Sequence, residues 1–463
     1  MGRFLQPEAE KIGAELNVEV FDRILTGYSL SVHILLASLG LILPIVILLA
    51  EYLSIKFNDK HFEVFAKRLT IVFTILFALG AASGTLVALE LLLVWPKFMA
   101  LVSQVAILPV YTEVFAFFLE SIFIGIYIYS WNKFKNRKMH ILAGIPIVIG
   151  AALSAVFITM LNAFMNTPVG FNIATYLKNG TITNVMPLAV FSTPSTLLEV
   201  NHVVATAYFA GTFILIAYLA FMLIRTNDEN KKTYYKKALR LMLILAIIFT
   251  TYAIVTGLWS ISALPNFQPE KFAAIEGNFY PQAYAPERLG GIPVNGTLKY
   301  YINLPDLQSI LLTGSASGNV PGLSSYPKST WPPLIIHFMF DLLFGSAMLV
   351  GLILAIVVLL AILKKKPLDN KFALKLLIIA GILATFALED GWVMEELGRQ
   401  PWIIYNVMLV TQAANYTQGI SPIAVFILAF YVAVVPATIF VIWKIMKKRP
   451  LEQELAVTSD GLS

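Results

Sequence analysis

The sequence predicts an all-α polytopic membrane protein with nine transmembrane helices. The chain of 463 residues is 58% hydrophobic and only 13% charged, a balance that excludes an ordinary soluble globule. A spanning helix needs about 20 mostly apolar residues, and nine segments of the chain meet that length. The candidate spans are residues 29–53, 70–95, 107–130, 141–165, 199–224, 241–263, 334–363, 372–394 and 420–443.

The distribution of basic residues predicts how these spans are oriented. Twenty-three Lys and Arg residues lie in the connections that follow the odd-numbered spans. This count includes the C-terminal tail and Lys375, near the start of the eighth span. The N-terminal segment and the other connections together hold 10. Because cytoplasmic loops carry the excess of Lys and Arg, we expect the N-terminus outside and the C-terminus in the cytoplasm.

The chain is expected to form a single membrane domain over residues 1–463, with one long connection at 264–333 between helices six and seven. The length of that connection and its Gly and Pro content indicate a functional extracytoplasmic loop rather than a separate domain. The chain has no cysteine, which excludes disulfides, Cys-ligated iron–sulfur clusters and thiolate-ligated haem. Its net charge of +6 is carried by residues that flank helices, so no nucleic-acid partner is expected.

Potential ligands within the spans share one depth. His33, His202, Met339, Glu389 and Glu113 all lie roughly 5–10 Å below the outer boundary, at the rise of an α-helix. Ionisable groups in hydrocarbon are costly and usually functional. Each residue alone also has a plainer interpretation, as an interfacial histidine, a paired acid or a core methionine. The shared depth favours a row of cofactor ligands, because imidazole and thioether are standard axial ligands of a low-spin haem.

The seventh helix carries two candidates that cannot serve one haem together. His337 and Met339 are two residues apart and therefore point about 200° away from each other. His337 and Asp341 are four residues apart and share a face. We therefore predict a His–Asp pair on one side of this helix and Met339 on the other.

Four motifs resemble subunit I of the cytochrome bd quinol oxidases. The segment GRQPW at 398–402 is close to diagnostic for that family. The segments FFLES at 117–121, NHVVA at 201–205 and KFAAIE at 271–276 are similar to family segments in the same order. The resemblance extends from about residue 20 to residue 445, with nine helices and an outer N-terminus.

The resemblance implies haem ligands at four positions. His202 and Met339 match the axial pair of a low-spin haem b. His33 and Glu389 match ligands of two high-spin haems, which the family fills with haem b and with haem d or a further haem b.

The resemblance also implies roles in proton transfer and in quinol oxidation. Glu120, with Ser121 beside it, matches an acid on the proton path, and Glu113 is a further residue of the haem site. Lys271 and Glu276 match residues of the quinol-binding loop. Three residues of GRQPW complete the expected outer site: Arg399, Gln400 and Trp402.

The family resemblance implies a reaction and a location. Quinol would be oxidised at the outer face, and O2 would be reduced to water with protons from the cytoplasm. The chain would lie in a prokaryotic cytoplasmic membrane. Its partner would be a second membrane subunit, subunit II, or a paralogous copy.

The sequence departs from the family pattern at several positions. The family has an acid seven or eight residues before the acid of FFLES; here Glu113 lies seven residues before Glu120, and Thr112 lies eight before. His337 stands where the family usually has Arg, and Thr385 stands where well-known members have Trp. The segment LLLVW at 91–95 stands where the family has GTNW. These departures leave open a haem-containing paralogue that lacks the oxygen site or the quinol site.

Two other classes of membrane protein account for the sequence less well. A proton-coupled secondary transporter would explain the intramembrane acids but neither His202 with Met339 nor the GRQPW segment. A haem–copper oxidase subunit needs six histidines in the membrane, whereas only three of the five histidines lie in the spans. The haem–copper class is therefore excluded.

Overall fold

The computed structural model describes residues 2–134, 136–294, 296–417 and 421–456, and helices make up most of it. Nine helices within these residues are long and apolar enough to cross a membrane. They are α1 (Gly2–Phe57), α2 (Lys60–Val94), α3 (Ile107–Ser130), α4 (Arg137–Asn166), α5 (Thr196–Arg225), α6 (Glu229–Phe267), α7 (Ile335–Ile362), α8 (Lys371–Arg399) and α9 (Ser421–Lys447). The predicted fold class and number of spans are confirmed.

Most of these helices extend beyond the apolar segments that predicted them. Helix α1 begins at Gly2 although the predicted span began at residue 29, and α6 ends at Phe267 rather than at 263. A helix satisfies its own backbone hydrogen bonds, so it can continue past the hydrocarbon edge into a region where charged side chains are tolerated. Hydropathy therefore marks the membrane-crossing part of each helix and not its ends.

The four even-numbered helices share one kind of N-terminus. Each begins after an Asp or Asn whose side-chain oxygen accepts a hydrogen bond from a backbone N–H in the first turn. These N-cap residues are Asp59, Asn136, Asp228 and Asn370. All four lie at the end of the bundle that carries the Lys- and Arg-rich connections, which we call the basic end. The caps fix where the chain re-enters the bundle at that end.

Helix α5 lies at the centre of the bundle, where it packs against α1, α4, α6 and α8. Two glycines allow the closest of these approaches. A Cβ at Gly211 would lie 2.9 Å from the carbonyl oxygen of Ser38, and one at Gly381 would lie 2.6 Å from that of Phe213. Small residues at such crossings bring helix backbones together, which is how membrane helices gain packing energy.

The connection between α6 and α7 carries short elements of its own. It contains the helices Pro269–Ile275 and Leu307–Thr313 and two antiparallel strand pairs. Strand β1 (Glu287–Leu289) pairs with β4 (Ile302–Leu304), and β2 (Ile292–Val294) pairs with β3 (Thr297–Lys299). After α8, β5 (Trp402–Ile404) pairs with β6 (Met408–Leu409). Further short helices are Pro96–Val105, Ile173–Asn179, Val410–Ala413 and Leu451–Ala456.

Candidate functional site

His33 on α1 is held in one tautomer by α2. Its Nδ1 lies 2.9 Å from the Ser83 hydroxyl oxygen, and that hydroxyl donates its hydrogen to the carbonyl oxygen of Gly80 over 2.8 Å. Ser83 Oγ can therefore only accept from His33, so Nδ1 carries the hydrogen. The lone pair of Nε2 then remains available, which is the state that a metal-ligating imidazole needs. The ring lies against Gly84, where a Cβ would be 2.9 Å from His33 Cε1.

His202 on α5 repeats this arrangement with α6. Its Nδ1 lies 3.2 Å from Thr256 Oγ1, and the Thr256 hydroxyl donates to the carbonyl oxygen of Tyr252 over 3.0 Å. Nδ1 is again the donor, so Nε2 again keeps its lone pair. Two predicted ligand histidines therefore reach the same tautomer through unrelated partners.

Glu389 on α8 is an acid whose two carboxylate oxygens are buried. Neither of its buried carboxylate oxygens has a hydrogen bond of standard length and angle within the described residues. The hydroxyl of Ser31, two residues before His33 on α1, faces this carboxyl group. A buried carboxylate without a partner is costly, so the two oxygens of Glu389 remain available to bind a metal ion. The structure thus places Glu389 against α1, about 3 Å along the helix axis from the level of His33.

Met339 and His337 lie on different sides of α7, as predicted. Met339 is half-buried and packs against an apolar cluster that includes Ile336 and Met394. His337 Nδ1 lies 2.6 Å from the carbonyl oxygen of Ile275, and Nε2 lies 2.9 Å from that of Gly290. Both ring nitrogens of His337 are therefore occupied.

The predicted His–Asp pair is present on α7. His337 Nε2 lies 3.5 Å from Asp341 Oδ2, and this oxygen also accepts from the backbone N–H of Gly290 over 2.8 Å. His337 contacts the carbonyl oxygen of Gly290 and Asp341 accepts from its N–H, and Gly290 has a φ of +72°. The pair therefore fixes a turn of the α6–α7 connection against α7.

The acids of α3 face α4. The Ser154 hydroxyl donates to Glu113 Oε1 over 2.5 Å. Glu120 is buried, and it packs where α4 carries Gly150, since a Cβ there would lie 3.0 Å from Glu120 Cβ. Ser121 donates to the carbonyl oxygen of Phe117 in its own helix over 2.8 Å. The structure therefore groups Glu113, Glu120 and Ser154, and leaves Ser121 outside this group.

Lys271 and Arg399 enter one buried ionic network at the end of the bundle opposite the basic end. Lys271 Nζ lies 2.5 Å from Glu395 Oε2. Arg399, 2% exposed, pairs with Glu396 and donates to Asn166 Oδ1 over 3.0 Å. Its Nε has no partner within the described residues. The network ties the start of the α6–α7 connection to the end of α8.

Glu276 is buried beneath the same connection. Gln308 Nε2 donates to its Oε2 over 2.5 Å, and the carboxyl group of Glu287 faces it. Burial, followed by the negative charge of Glu287, raises the pKa of Glu276 well above its usual range. Burial also raises the pKa of Glu287. Both carboxyl groups therefore keep their protons to a higher pH than an exposed glutamate does.

The remaining residues of GRQPW lie just beyond α8. The peptide bond between Gln400 and Pro401 is cis, and the backbone N–H of Gln400 donates to the carbonyl oxygen of Leu397 over 3.1 Å. Trp402 lies on β5, and its buried Nε1 has no partner within the described part of the chain. Trp402 and Arg399 thus both present unsatisfied donors at this end of the bundle.

The sequence interpretation missed several partners of these residues. Glu395 and Asn166 complete the network of Lys271 and Arg399, while Gln308 and Glu287 surround Glu276. Only Glu395 left a signal in the sequence, as an acid four residues before Arg399 on a helix. The others lie far from their partners in the chain, where no spacing rule applies.

Comparison with known proteins assigns the family. The model of the family described as "Cytochrome bd terminal oxidase subunit I" matches residues 21–450. The chain belongs to this family. A "Putative cytochrome bd menaquinol oxidase subunit I" of Bacillus subtilis (strain 168) is 34% identical over 94% of this chain and 98% of that protein. A "Cytochrome bd ubiquinol oxidase subunit 1" of the same organism is 29% identical over 82% and 83% of the two chains.

A solved structure agrees with this assignment. The bd oxidase from Geobacillus thermodenitrificans matches with a TM-score of 0.87 and 37% identity, over 94% of this chain and 99% of the matched chain. The family implies haem, and the donor set fits it. Two imidazoles with available Nε2 atoms, a thioether and an unpartnered carboxylate are ligands that haem iron accepts.

Proposed function

We propose that this chain is the haem-bearing subunit of a quinol:oxygen oxidoreductase in the cytoplasmic membrane of a bacterium. The observation that carries the proposal is the pair of histidines, His33 and His202, in which Nδ1 donates to a hydroxyl and Nε2 keeps its lone pair. The unpartnered carboxylate of Glu389 adds a third potential ligand. The orientation that we propose has the basic end in the cytoplasm, following the excess of Lys and Arg there.

Four residues would hold the haems. His202 and Met339 would hold a low-spin haem b, whereas His33 and Glu389 would hold two high-spin haems, one haem b and one haem d or further haem b. Bound haem supplies the electron transfer and the oxygen chemistry. The chain fixes the direction of each imidazole, through Ser83 for His33 and through Thr256 for His202.

Quinol would be oxidised at the outer end, beside the α6–α7 connection. Oxidation of a quinol releases two protons and therefore needs a base within hydrogen-bond reach. Glu276 can take that role once it is ionised, and Gln308 steadies the ionised form by donating to Oε2. Lys271 holds the start of this connection on α8 through Glu395. Arg399, Gln400 and Trp402 would line the same quinol site at the outer end of α8.

Protons for water would come from the basic end. Glu120 lies deep on α3 and Glu113 two turns further out, so the two acids form successive positions along one helix face. Ser154 orients Glu113 by donating to its Oε1. We propose subunit II as the membrane partner, because bd oxidases work as complexes of two such subunits.

A reduced-minus-oxidised absorption spectrum of the purified complex, combined with a pyridine haemochrome assay, tests this function. We expect three haems, including a high-spin signal that shifts with carbon monoxide, and oxygen consumption with added quinol. The haemochrome also decides between haem d and a further haem b. A single low-spin haem without oxygen consumption would identify an electron-transfer paralogue instead.

A further inference from the structure

Two carboxyl groups of the α6–α7 connection are joined by a hydrogen bond. Glu276 directly follows the helix Pro269–Ile275, and Glu287 begins β1. Their side chains are hydrogen-bonded to each other. Two ionised carboxylates can only accept hydrogen bonds, so this contact holds one proton between the two groups. Glu276 is 4% exposed, whereas Glu287 is partly exposed. The pair therefore joins a buried carboxyl group to one that water can reach.

A chain of amide groups fixes the buried half of the pair. Arg288, next to Glu287 on β1, donates to Asn278 Oδ1 over 2.6 Å. A guanidinium only donates, so the Asn278 oxygen faces it, and Asn278 Nδ2 donates to Gln308 Oε1 over 2.7 Å. The nitrogen of Gln308 must then face Glu276, whose Oε2 accepts from it over 2.5 Å. Gln308 therefore offers Glu276 a donor and cannot take up its proton.

One short helix positions both carboxyl groups. Gln308 and Ser309 are neighbours on the helix that follows β4, and both are at most 3% exposed. Gln308 holds Glu276. Ser309 Oγ accepts from the backbone N–H of Ala285 over 2.8 Å, two residues before Glu287. The contact between the two carboxyl groups is thus supported by buried polar groups rather than by flexible surface side chains.

Three further charged or titratable side chains face the pair. They are Asp341 and His337 of α7 and Arg288 of β1. Both ring nitrogens of His337 contact backbone carbonyl oxygens, and Arg288 has no lone pair that could accept a proton. None of the three has a hydrogen bond with Glu276 within the described residues. Glu287 is therefore the titratable side chain in direct contact with Glu276.

We infer that Glu287 carries protons from Glu276 to the outer water during quinol oxidation. The inference rests on the proposed function, in which Glu276 takes the protons that quinol loses. Oxidation of one quinol sends two electrons to haem and leaves two protons, whereas one carboxylate accepts a single proton. For each proton, an O–H bond of quinol breaks and one forms on Glu276, while the proton already in the pair leaves Glu287 for water. After two such rounds the pair again holds one proton.

The alternative role of Glu287 is purely electrostatic, as a negative charge beside Glu276. Steady-state quinol oxidation across pH separates the two roles in the purified complex with its haems. The substrate is a short-chain naphthoquinol or benzoquinol, whichever the wild type oxidises faster. Glu287→Gln is compared with the wild type and with a matched control, Glu270→Gln. Glu270 is a buried glutamate of the same connection, and its Oε2 accepts from the Tyr405 hydroxyl over 2.6 Å.

We expect Glu287→Gln to lower the plateau kcat at alkaline pH about 100-fold, within the range that positioned proton acceptors contribute. The reason is that an amide cannot take the proton from Glu276. KM should stay unchanged, because Glu287 does not bind quinol. The remaining rate should rise at a lower pH than in the wild type, since loss of the negative charge lowers the pKa of Glu276. Haem spectra should stay unchanged, and Glu270→Gln should match the wild type.

A wild-type plateau kcat in Glu287→Gln would overturn the inference even if the pH profile moves, because Glu287 would then act only through its charge. An equal loss of kcat in Glu270→Gln would also overturn it. If Glu287→Gln loses its haems, Glu287→Met decides by the same plateau, because methionine has a similar length and no titratable group. The wild-type complex reports separately on the proposed function, which fails if that complex lacks haem or does not oxidise quinol.

Discussion

The histidines of this protein fall into two groups that differ in how many ring nitrogens have partners. His33 and His202 donate from Nδ1 to a hydroxyl and leave Nε2 without a partner within the described residues. His61, His140 and His337 use both ring nitrogens. Two of this second group are the most deeply buried histidines. The partner of the second nitrogen, rather than burial, therefore separates a candidate ligand from a structural histidine.

The largest expected effect comes from replacing one member of each group. His202→Ala should remove the low-spin haem signal completely, because no other described side chain offers an imidazole Nε2 at that place. His337→Gln should keep every haem, since both nitrogens of His337 already bind backbone carbonyls. Haem count and reduced-minus-oxidised spectra of the two purified variants measure both effects. Loss of a haem in His337→Gln, or a normal low-spin signal in His202→Ala, would contradict the division of the histidines into candidate ligands and structural residues.

A smaller effect is expected from replacing the hydroxyls that set the tautomer of the two proposed ligands, His33 and His202. Ser83→Ala and Thr256→Val each remove the acceptor of an Nδ1–H, and partners of this kind typically contribute 10–100-fold, as an order of magnitude, to metal affinity. We expect faster loss of the corresponding haem during dilution in detergent. Thr250→Val is the matched control, because Thr250 lies on the same helix as Thr256 and its buried hydroxyl has no partner within the described residues. Equal haem retention in Thr256→Val and Thr250→Val would contradict the proposed role of the Thr256 hydroxyl.

The sequence predicted the elements of this comparison but not what distinguishes its two groups. Apolar segments of sufficient length predicted nine helices, and a four-residue spacing predicted that His337 and Asp341 share a face. The tautomer of His33 depends on Ser83, 50 residues away, and that of His202 on Thr256, 54 residues away. Such pairs form only when helices pack, so no periodicity within one helix can reveal them.

Helix ends and buried counter-ions escaped prediction for related reasons. Hydropathy falls where the hydrocarbon ends, whereas the helix continues, as α1 does to Gly2. Lys271 was predicted from a motif, but its partner Glu395 lies 124 residues away. The motif therefore predicted Lys271 as a site residue, while the fold alone determines which side chain Lys271 contacts.

The carboxylates divide as the histidines do, and Glu276 belongs to the partnered group. Neither oxygen of Glu389 has a standard hydrogen bond within the described residues, whereas Glu276 accepts from Gln308 and faces Glu287. This difference suits Glu389 to hold a metal and Glu276 to exchange a proton. The rate of quinol oxidation is therefore expected to depend on pH through the ionisation of the Glu276 carboxyl group.

The smallest predicted effect is a shift of that pH dependence in Gln308→Met. Gln308 donates to Glu276 and so favours the ionised carboxylate, which lowers a pKa that burial and Glu287 have raised. Without this donor the pKa of Glu276 rises further, and the base needed for quinol oxidation forms only at higher pH. The rising limb of the rate should therefore move toward alkaline pH, as measured by steady-state quinol oxidation across pH. In a Glu276→Gln background the same Gln308→Met change should cause no shift. If the shift persists in the Glu276→Gln background, the rise of the rate with pH reports the ionisation of another group, and Glu287 is the nearest alternative.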